Sequence, residues 1–185
     1  MNRKDFLKSA CGAGACGCAL GLLGAPRAQT QAETPKPAAE PPPEARQLAF
    51  NRYQVANMVK AMAADLPPAA AVGVLRKTGR ECAKITQVHA KYQGNPEGYF
   101  AACKEAWGTE VAWDKKQGLV TVTVPAGECS CPLVSTKWTP PLFCNCSAGY
   151  QEEALGAVFG KPVTVELVAT KLAGSPNCVF RVKVS

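Results

Sequence analysis

Ten cysteines stand against a single histidine, His89, in a chain of 185 residues. That imbalance restricts what the chain can build. A histidine-rich metal site is excluded, and so is any catalytic scheme that needs two imidazoles. A Ser–His–Asp triad would have to use His89 with Asp65 or Asp114, since Asp5 lies in the leader. His89 itself follows a helical stretch beside Lys91 and reads as a surface residue. Thiol chemistry is what remains, and where the thiols fall decides which kind.

Cys11, Cys16 and Cys18 sit in the first thirty residues. There Arg3, Lys4 and Lys8 precede an apolar, Gly/Ala-rich run from Ala10 to Ala25. A basic start followed by a short apolar run is a signal-peptide layout. Asn2-Arg3-Lys4-Asp5-Phe6-Leu7-Lys8 is similar to a twin-arginine export motif, with Lys4 in place of the second arginine. Ordinary Sec export stays open, as does cleavage after Ala25, Ala28 or Ala32. Lys8, Ala13 and Ala15 stand where a lipoprotein box needs an aliphatic residue, so the leader cysteines read as small apolar spacers. Residues 1–28 are expected to be an export signal that sends the chain to the periplasm or beyond the cell.

The formal net charge of +7 falls to +4 once the leader's four basic and one acidic residues are removed, leaving 17 basic and 13 acidic. No stripe of Lys and Arg with interleaved aromatics is present, so a nucleic-acid partner is not expected. No segment after the leader reaches eighteen apolar residues, which argues against stable membrane insertion after cleavage. Residues 29–45 read as a linker, with five prolines between positions 33 and 45. The single folded domain is expected over 46–185.

Within it, Arg46 to Asp65 carries Leu48, Val55, Met58 and Met62 at helical spacing. Pro67-Pro68 ends that helix, and Val72, Leu75, Cys82 and Ile85 mark a second, interrupted at Gly79. Asn95-Pro96 starts a third with a capping side chain and then proline in the first turn, and Gly108 stops it. Val120, Val122 and Val124 alternate in a strand. Ser147 caps a helix that closes at Gly160 and Pro162. Val163, Val165, Leu167 and Ala169 alternate in a further strand, and Cys178, Phe180, Val182 and Val184 form the inward face of the last. With a short strand near the Cys-x-Cys pairs, the order is α-α-α-β-β-α-β-β. The class is α+β, with N-terminal helices and an antiparallel sheet packed against a helix.

The tail resembles the C-terminal half of the 4-vinyl reductase domain family, a small-molecule-binding fold related to subunits of the vesicle-tethering transport particle. The matching residues are Cys144, Gly149, Tyr150, Gly160-Lys161-Pro162, Val163, Val165 and Gly174-x-Pro176-x-Cys178-x-Phe180-x-Val182. Sensors of this kind resemble zinc proteins, and the resemblance places two of the four ligands on Cys144 and Cys178. The other two positions hold Leu167 and Thr170. The chain adds Cys129, Cys131 and Cys146. It is similar to a cysteine-rich offshoot of the fold, through Cys129-Ser-Cys131-Pro132 and Cys144-Asn-Cys146-Ser147.

Residues two apart in an extended strand project from one face. Two Cys-x-Cys pairs on adjacent segments could therefore aim four sulfurs at one centre, with Cys178 as a substitute ligand. Cys129, Cys131, Cys144, Cys146 and Cys178 are the candidate metal ligands. Four thiolates suit Zn²⁺, Cu⁺ or an iron–sulfur cluster. An exported chain meets an oxidising compartment, so disulfides across the two pairs, with no metal, are the competing reading. Cys82 and Cys103 read as buried small hydrophobes, and Tyr99, Phe100 and Trp107 as core. The seven cysteines after the leader are odd in number, so they cannot all pair within one chain. The expected function is an exported metal- or small-molecule-binding module, not an enzyme, with a small apolar or aromatic ligand under the sheet. A thiol-dependent oxidoreductase or reductase-like enzyme and a disulfide-stapled interaction domain are the alternatives.

The leader makes a testable claim. Replacing Arg3 and Lys4 together should retain the precursor in the cytoplasm, as should deletion of the twin-arginine translocase, read by fractionation and immunoblotting. Unchanged export in the translocase-deficient strain would assign the chain to the Sec route.

Overall fold

A computed structural model describes residues 40–185; residues 1–28, expected to be an export signal, and most of the expected linker lie outside the described residues. Helix α1 spans Pro43–Asp65, three residues earlier than the apolar pattern predicts. Pro43 sits at its first position, where a missing N–H costs nothing and φ is already helical. Helix α2 spans Pro68–Thr86 without a break at Gly79. Helix α3 spans Pro96–Trp107. Its Asn95 cap accepts the Gly98 N–H at 3.0 Å, and Gly108 ends it at φ +64°, the left-handed region that favours glycine. Trp107, expected in the core, is half exposed.

Strand β1, Glu110–Asp114, is an element the sequence reading omits. Asp114 accepts the N–H groups of Lys116 and Gln117 in the turn that leads to β2, Leu119–Val124. The short strand expected near the Cys-x-Cys pairs is absent; Cys129 and Cys131 lie in irregular chain, and Cys144 and Cys146 in a helix. Helix α4 runs Cys144–Phe159, led in by a 3-10 turn over Pro141–Phe143, so it starts before Ser147 and contains both Cys144 and Cys146. Strands β3, Val163–Ala169, and β4, Cys178–Val184, complete the fold. The sheet order is β1-β2-β4-β3, with every neighbouring pair antiparallel. The architecture is α+β, as the patterning implies.

Register explains the core. Val111, Val122, Phe180 and Leu167 stand opposite one another across all four strands, as do Trp113, Val120, Val182 and Val165. Both rows face inward. Val120 and Val182 are fully buried, and they pack with Leu155 and Val158 of α4 and Tyr99 and Cys103 of α3. Phe100, Trp113 and Phe159 close one end with edge-to-face and tilted contacts 5.3–6.1 Å between ring centres. The outward face is polar, with Arg181 paired to Glu166 at 3.0 Å. No helix among the described residues is long and apolar enough to cross a membrane.

Behind α4 lies α2, and the two backbones touch. A Cβ on Gly79 would stand 1.8 Å from the Cys146 carbonyl oxygen, and one on Gly149 would stand 2.0 Å from the Arg76 carbonyl oxygen. Neither obstacle can rotate away, because each is backbone. Gly79 is thus a contact rather than an interruption.

Gly149→Ala should destabilise the chain by about 3 kcal/mol or more, the upper end of overpacking costs. Phe180→Ala should cost about 3–5 kcal/mol as a large core deletion. Denaturant unfolding measures both, and near-neutral values would mean that the helix crossing and the β4 phase are misassigned.

Candidate functional site

Strand β2 ends at Val124, paired with Cys178 at the start of β4. The chain then forms an irregular segment, residues 125–143, that carries Cys129 and Cys131. Helix α1 holds it. Arg52 Nε donates to the Pro132 carbonyl at 2.7 Å, and Tyr53 meets Trp138 edge-on at 5.8 Å. Beneath it, Val134 and Phe143 pack on Val59 of α1 and Leu75 of α2, and Cys129, Cys131 and Cys146 border this cluster.

A 3-10 turn over Lys171–Ala173 sits at the same corner, capped by Thr170, whose side chain accepts the Ala173 N–H. The Lys171 N–H donates to Cys178 Sγ at 3.4 Å, and Lys171 Nζ donates to the Glu128 carbonyl at 3.2 Å. Burial raises the Cys144 thiol above its ordinary range, while the Thr170 hydroxyl and the Leu172 backbone act in favour of its thiolate. Burial also raises Cys129; Cys178, Cys144 and Cys131 are near enough for their charges to act on it, and Lys171 offsets them in part. Cys129, Cys144 and Cys178 therefore share one corner, on a turn that offers hydrogen bonds to sulfur.

Cys146 belongs elsewhere. A helix advances roughly 200° over two residues, so Cys144 and Cys146 leave α4 on nearly opposite sides. In a strand they would have shared a face; the helix that begins at Cys144 removes that geometry. Burial pushes the Cys146 thiol up to about 11, and the thiols near enough to act on it are Cys131 and Cys82. Helical phase thus parts Cys146 from Cys144: Cys129, Cys144 and Cys178 lie by the Lys171–Ala173 turn, Cys146 has Cys82 near it, and Cys131 is near enough to act on both Cys129 and Cys146. Among the described residues all seven cysteines are free, and no group of three or more His, Cys, Asp or Glu side chains is already gathered as a metal-holding site.

Several single-residue expectations change. Cys82 is exposed rather than buried, whereas Cys103 is buried as expected. His89 is not a surface residue; it is 6% exposed, and its Nδ1 has no hydrogen-bond partner. The turn that carries Thr170, Lys171 and Leu172 is a part of the corner that the cysteine spacing does not reveal. The one signal for it is the alignment of Thr170 with a ligand position. Under the sheet, where a small apolar or aromatic ligand is expected, Val158, Val165 and Phe180 are buried among other side chains. An open groove of about 500 Å³ lies along the other flank of α4, beside Arg80, Glu152 and Lys161. Glu152 there accepts from both Arg76 and Arg80, the latter at 2.8 Å.

No protein-family model and no curated protein matches the chain. Solved structures do. A trafficking protein particle complex subunit 3 from Naegleria fowleri, covalently bound to palmitic acid, is 18% identical with a TM-score of 0.50, covering 76% of this chain and 96% of its own. The phenol-responsive sensory domain of the transcription activator PoxR, with phenol, is 13% identical with a TM-score of 0.51, covering 72% and 74%. A vinyl-4-reductase family protein from Methanocaldococcus jannaschii is 17% identical with a TM-score of 0.41, covering 80% and 85%. The first two share the fold at a distance.

The raised thiols have a consequence at alkaline pH. In the unfolded chain they ionise near 8.5, but in the folded chain Cys129, Cys144 and Cys146 hold their protons to higher pH. Their contribution to stability is full below about 8.5 and is lost at higher pH, for Cys146 as pH rises towards about 11. Denaturation midpoints under reductant should fall across that window, and less steeply in Cys146→Ala. An equal fall in the variant would remove Cys146 from the account.

Proposed function

We propose that the chain is an exported binding module, not an enzyme, and that it takes one soft metal ion at Cys129, Cys144 and Cys178. The observation that carries this reading is the Lys171–Ala173 turn, whose Lys171 N–H donates to Cys178 Sγ at 3.4 Å and whose Leu172 backbone acts in favour of the Cys144 thiolate. Hydrogen-bond donors beside sulfur favour thiolate, the form that binds metal. Three soft donors with such support fit Zn²⁺ or Cu⁺. Such an ion would supply Lewis acidity and a hub for folding. The chain's own part is to orient the sulfurs through the turn and to hold Cys129 there through the Lys171–Glu128 hydrogen bond. Three protein sulfurs leave the fourth position of a tetrahedral ion to a small external donor, or to Cys131 two residues from Cys129.

A second reading, a small apolar ligand, draws on the two fold neighbours that hold palmitic acid and phenol.

Metal analysis of protein purified without chelators from its own compartment tests the leading reading. About one Zn²⁺ or Cu⁺ per chain is expected, lost in the Cys144→Ser/Cys178→Ser double variant while circular dichroism stays that of the folded chain. Affinity for added Zn²⁺ should also rise with pH, because metal displaces protons from thiols. Stoichiometric disulfides joining Cys129 or Cys131 to Cys144 or Cys146, with no bound metal, would overturn the proposal and leave a stapled scaffold.

A further inference from the structure

The second thiol neighbourhood lies outside the metal reading. Cys82 is on α2, three residues past Gly79, and the Gly79 backbone rests against the Cys146 carbonyl. Leu75 and Cys82 are seven residues apart, two helical turns, so they lie along one stripe of α2. Leu75 belongs to the cluster that Cys146 and Cys131 border, which puts Cys82 on the Cys146 side of the crossing. The two thiols are near enough for charge on one to act on the other. Both are free, and Cys82 is exposed. A disulfide spans only about 4.4–6.8 Å between Cα atoms, a separation that packed helices reach only where small residues let their backbones meet. The glycine contact supplies that approach one turn away.

We propose that Cys82 and Cys146 form a redox-active dithiol that closes to a disulfide clamping α2 to α4. The oxidant is a small-molecule disulfide such as glutathione disulfide. The Cys82 thiolate attacks one glutathione sulfur, a mixed disulfide forms, and one glutathione thiolate leaves. Cys146 then attacks the Cys82 sulfur, the protein disulfide forms, and the second glutathione leaves. Two cysteine thiols lose two electrons and two protons, and the disulfide becomes two glutathione thiols. Exposure makes Cys82 the point of entry, and partial burial makes Cys146 the resolving thiol, shielded from the reagent until Cys82 is modified. The reaction is independent of the metal reading, whose three sulfurs it does not use.

The experiment equilibrates the reduced full chain in a graded series of glutathione buffers, traps free thiols by alkylation and maps linked tryptic peptides. Cys82 lies in peptide 81–84 and Cys146 in peptide 138–171, which also holds Cys144 because the Lys161–Pro162 bond resists trypsin; fragmentation and the Cys144→Ser variant separate those two. A link between the peptides is expected through Cys146. It should vanish in Cys82→Ser, persist in Cys131→Ser and Cys178→Ser, and raise the midpoint of thermal unfolding. Cys146 joined to Cys131 instead, or Cys82 left free in the most oxidising buffer, would overturn it. Because Cys82 is exposed, Cys82→Ser should fold and keep the metal content of the parent chain. Loss of the link with metal retained, or the reverse, therefore tells failure of one proposal from failure of the other.

Discussion

Helices α2 and α4 meet backbone against backbone. Gly79 and Gly149 remove the side chains that would hold α2 and α4 apart, and each glycine meets a carbonyl of the other helix. Everything on the far side of α4 inherits its position from that contact. Leu155 and Val158 meet the sheet because α4 is pressed from behind. The Leu75, Val59 and Phe143 cluster forms because the same crossing brings α2 alongside the start of α4. The 125–143 segment then has an apolar seat, and its cysteines acquire a fixed place.

The sulfur chemistry follows from helical phase at that seat. Cys144 and Cys146 differ by two residues, and the early start of α4 turns them to different neighbours. One faces a turn rich in donors to sulfur. The other faces the glycine crossing and an exposed cysteine of α2. Had the helix begun at Ser147, the pair could have kept an extended geometry and pointed together. A shift of three residues at one helix terminus thus separates a four-sulfur centre from two smaller thiol groups.

Patterning reveals most of the fold. Asn95-Pro96 and Gly108 bound α3 in the sequence as they do in space, because caps are local chemistry. The alternation in 119–124, 163–169 and 178–184 finds three strands whose inner faces are buried in phase. Strand β1 has the same signal in Val111 and Trp113, but five residues between a glycine stop and a turn are easily passed over. Gly79 reads as a helix breaker in isolation, since only its partner Gly149, seventy residues on, turns it into a contact. The start of α4 is illegible for a similar reason. The 3-10 turn at Pro141–Phe143 feeds directly into Cys144, so no polar cap marks the boundary. The cysteines are countable in the sequence, but their grouping depends on that boundary. His89 is buried by tertiary packing, about which the nearby Lys91 carries no information.

Arg76 takes part in two structures at once. Its carbonyl is the surface against which Gly149 packs, and its guanidinium reaches past Glu152 to donate to the Val165 carbonyl at 2.9 Å. Strand β3 is an outer strand of an open sheet, and an outer strand with free carbonyls is a template for another chain. Arg76 occupies one of those carbonyls. The opposite margin, β1, is only five residues long and has exposed acidic residues at both ends. Edge-on polymerisation is thereby discouraged on one side by a short charged strand and on the other by a side chain delivered from the second layer of helices. Any change that lifts α2 away from α4 withdraws that side chain too, so the first sign of a loosened crossing would be strands adding to β3 and chains growing into aggregates, before the domain itself unfolds.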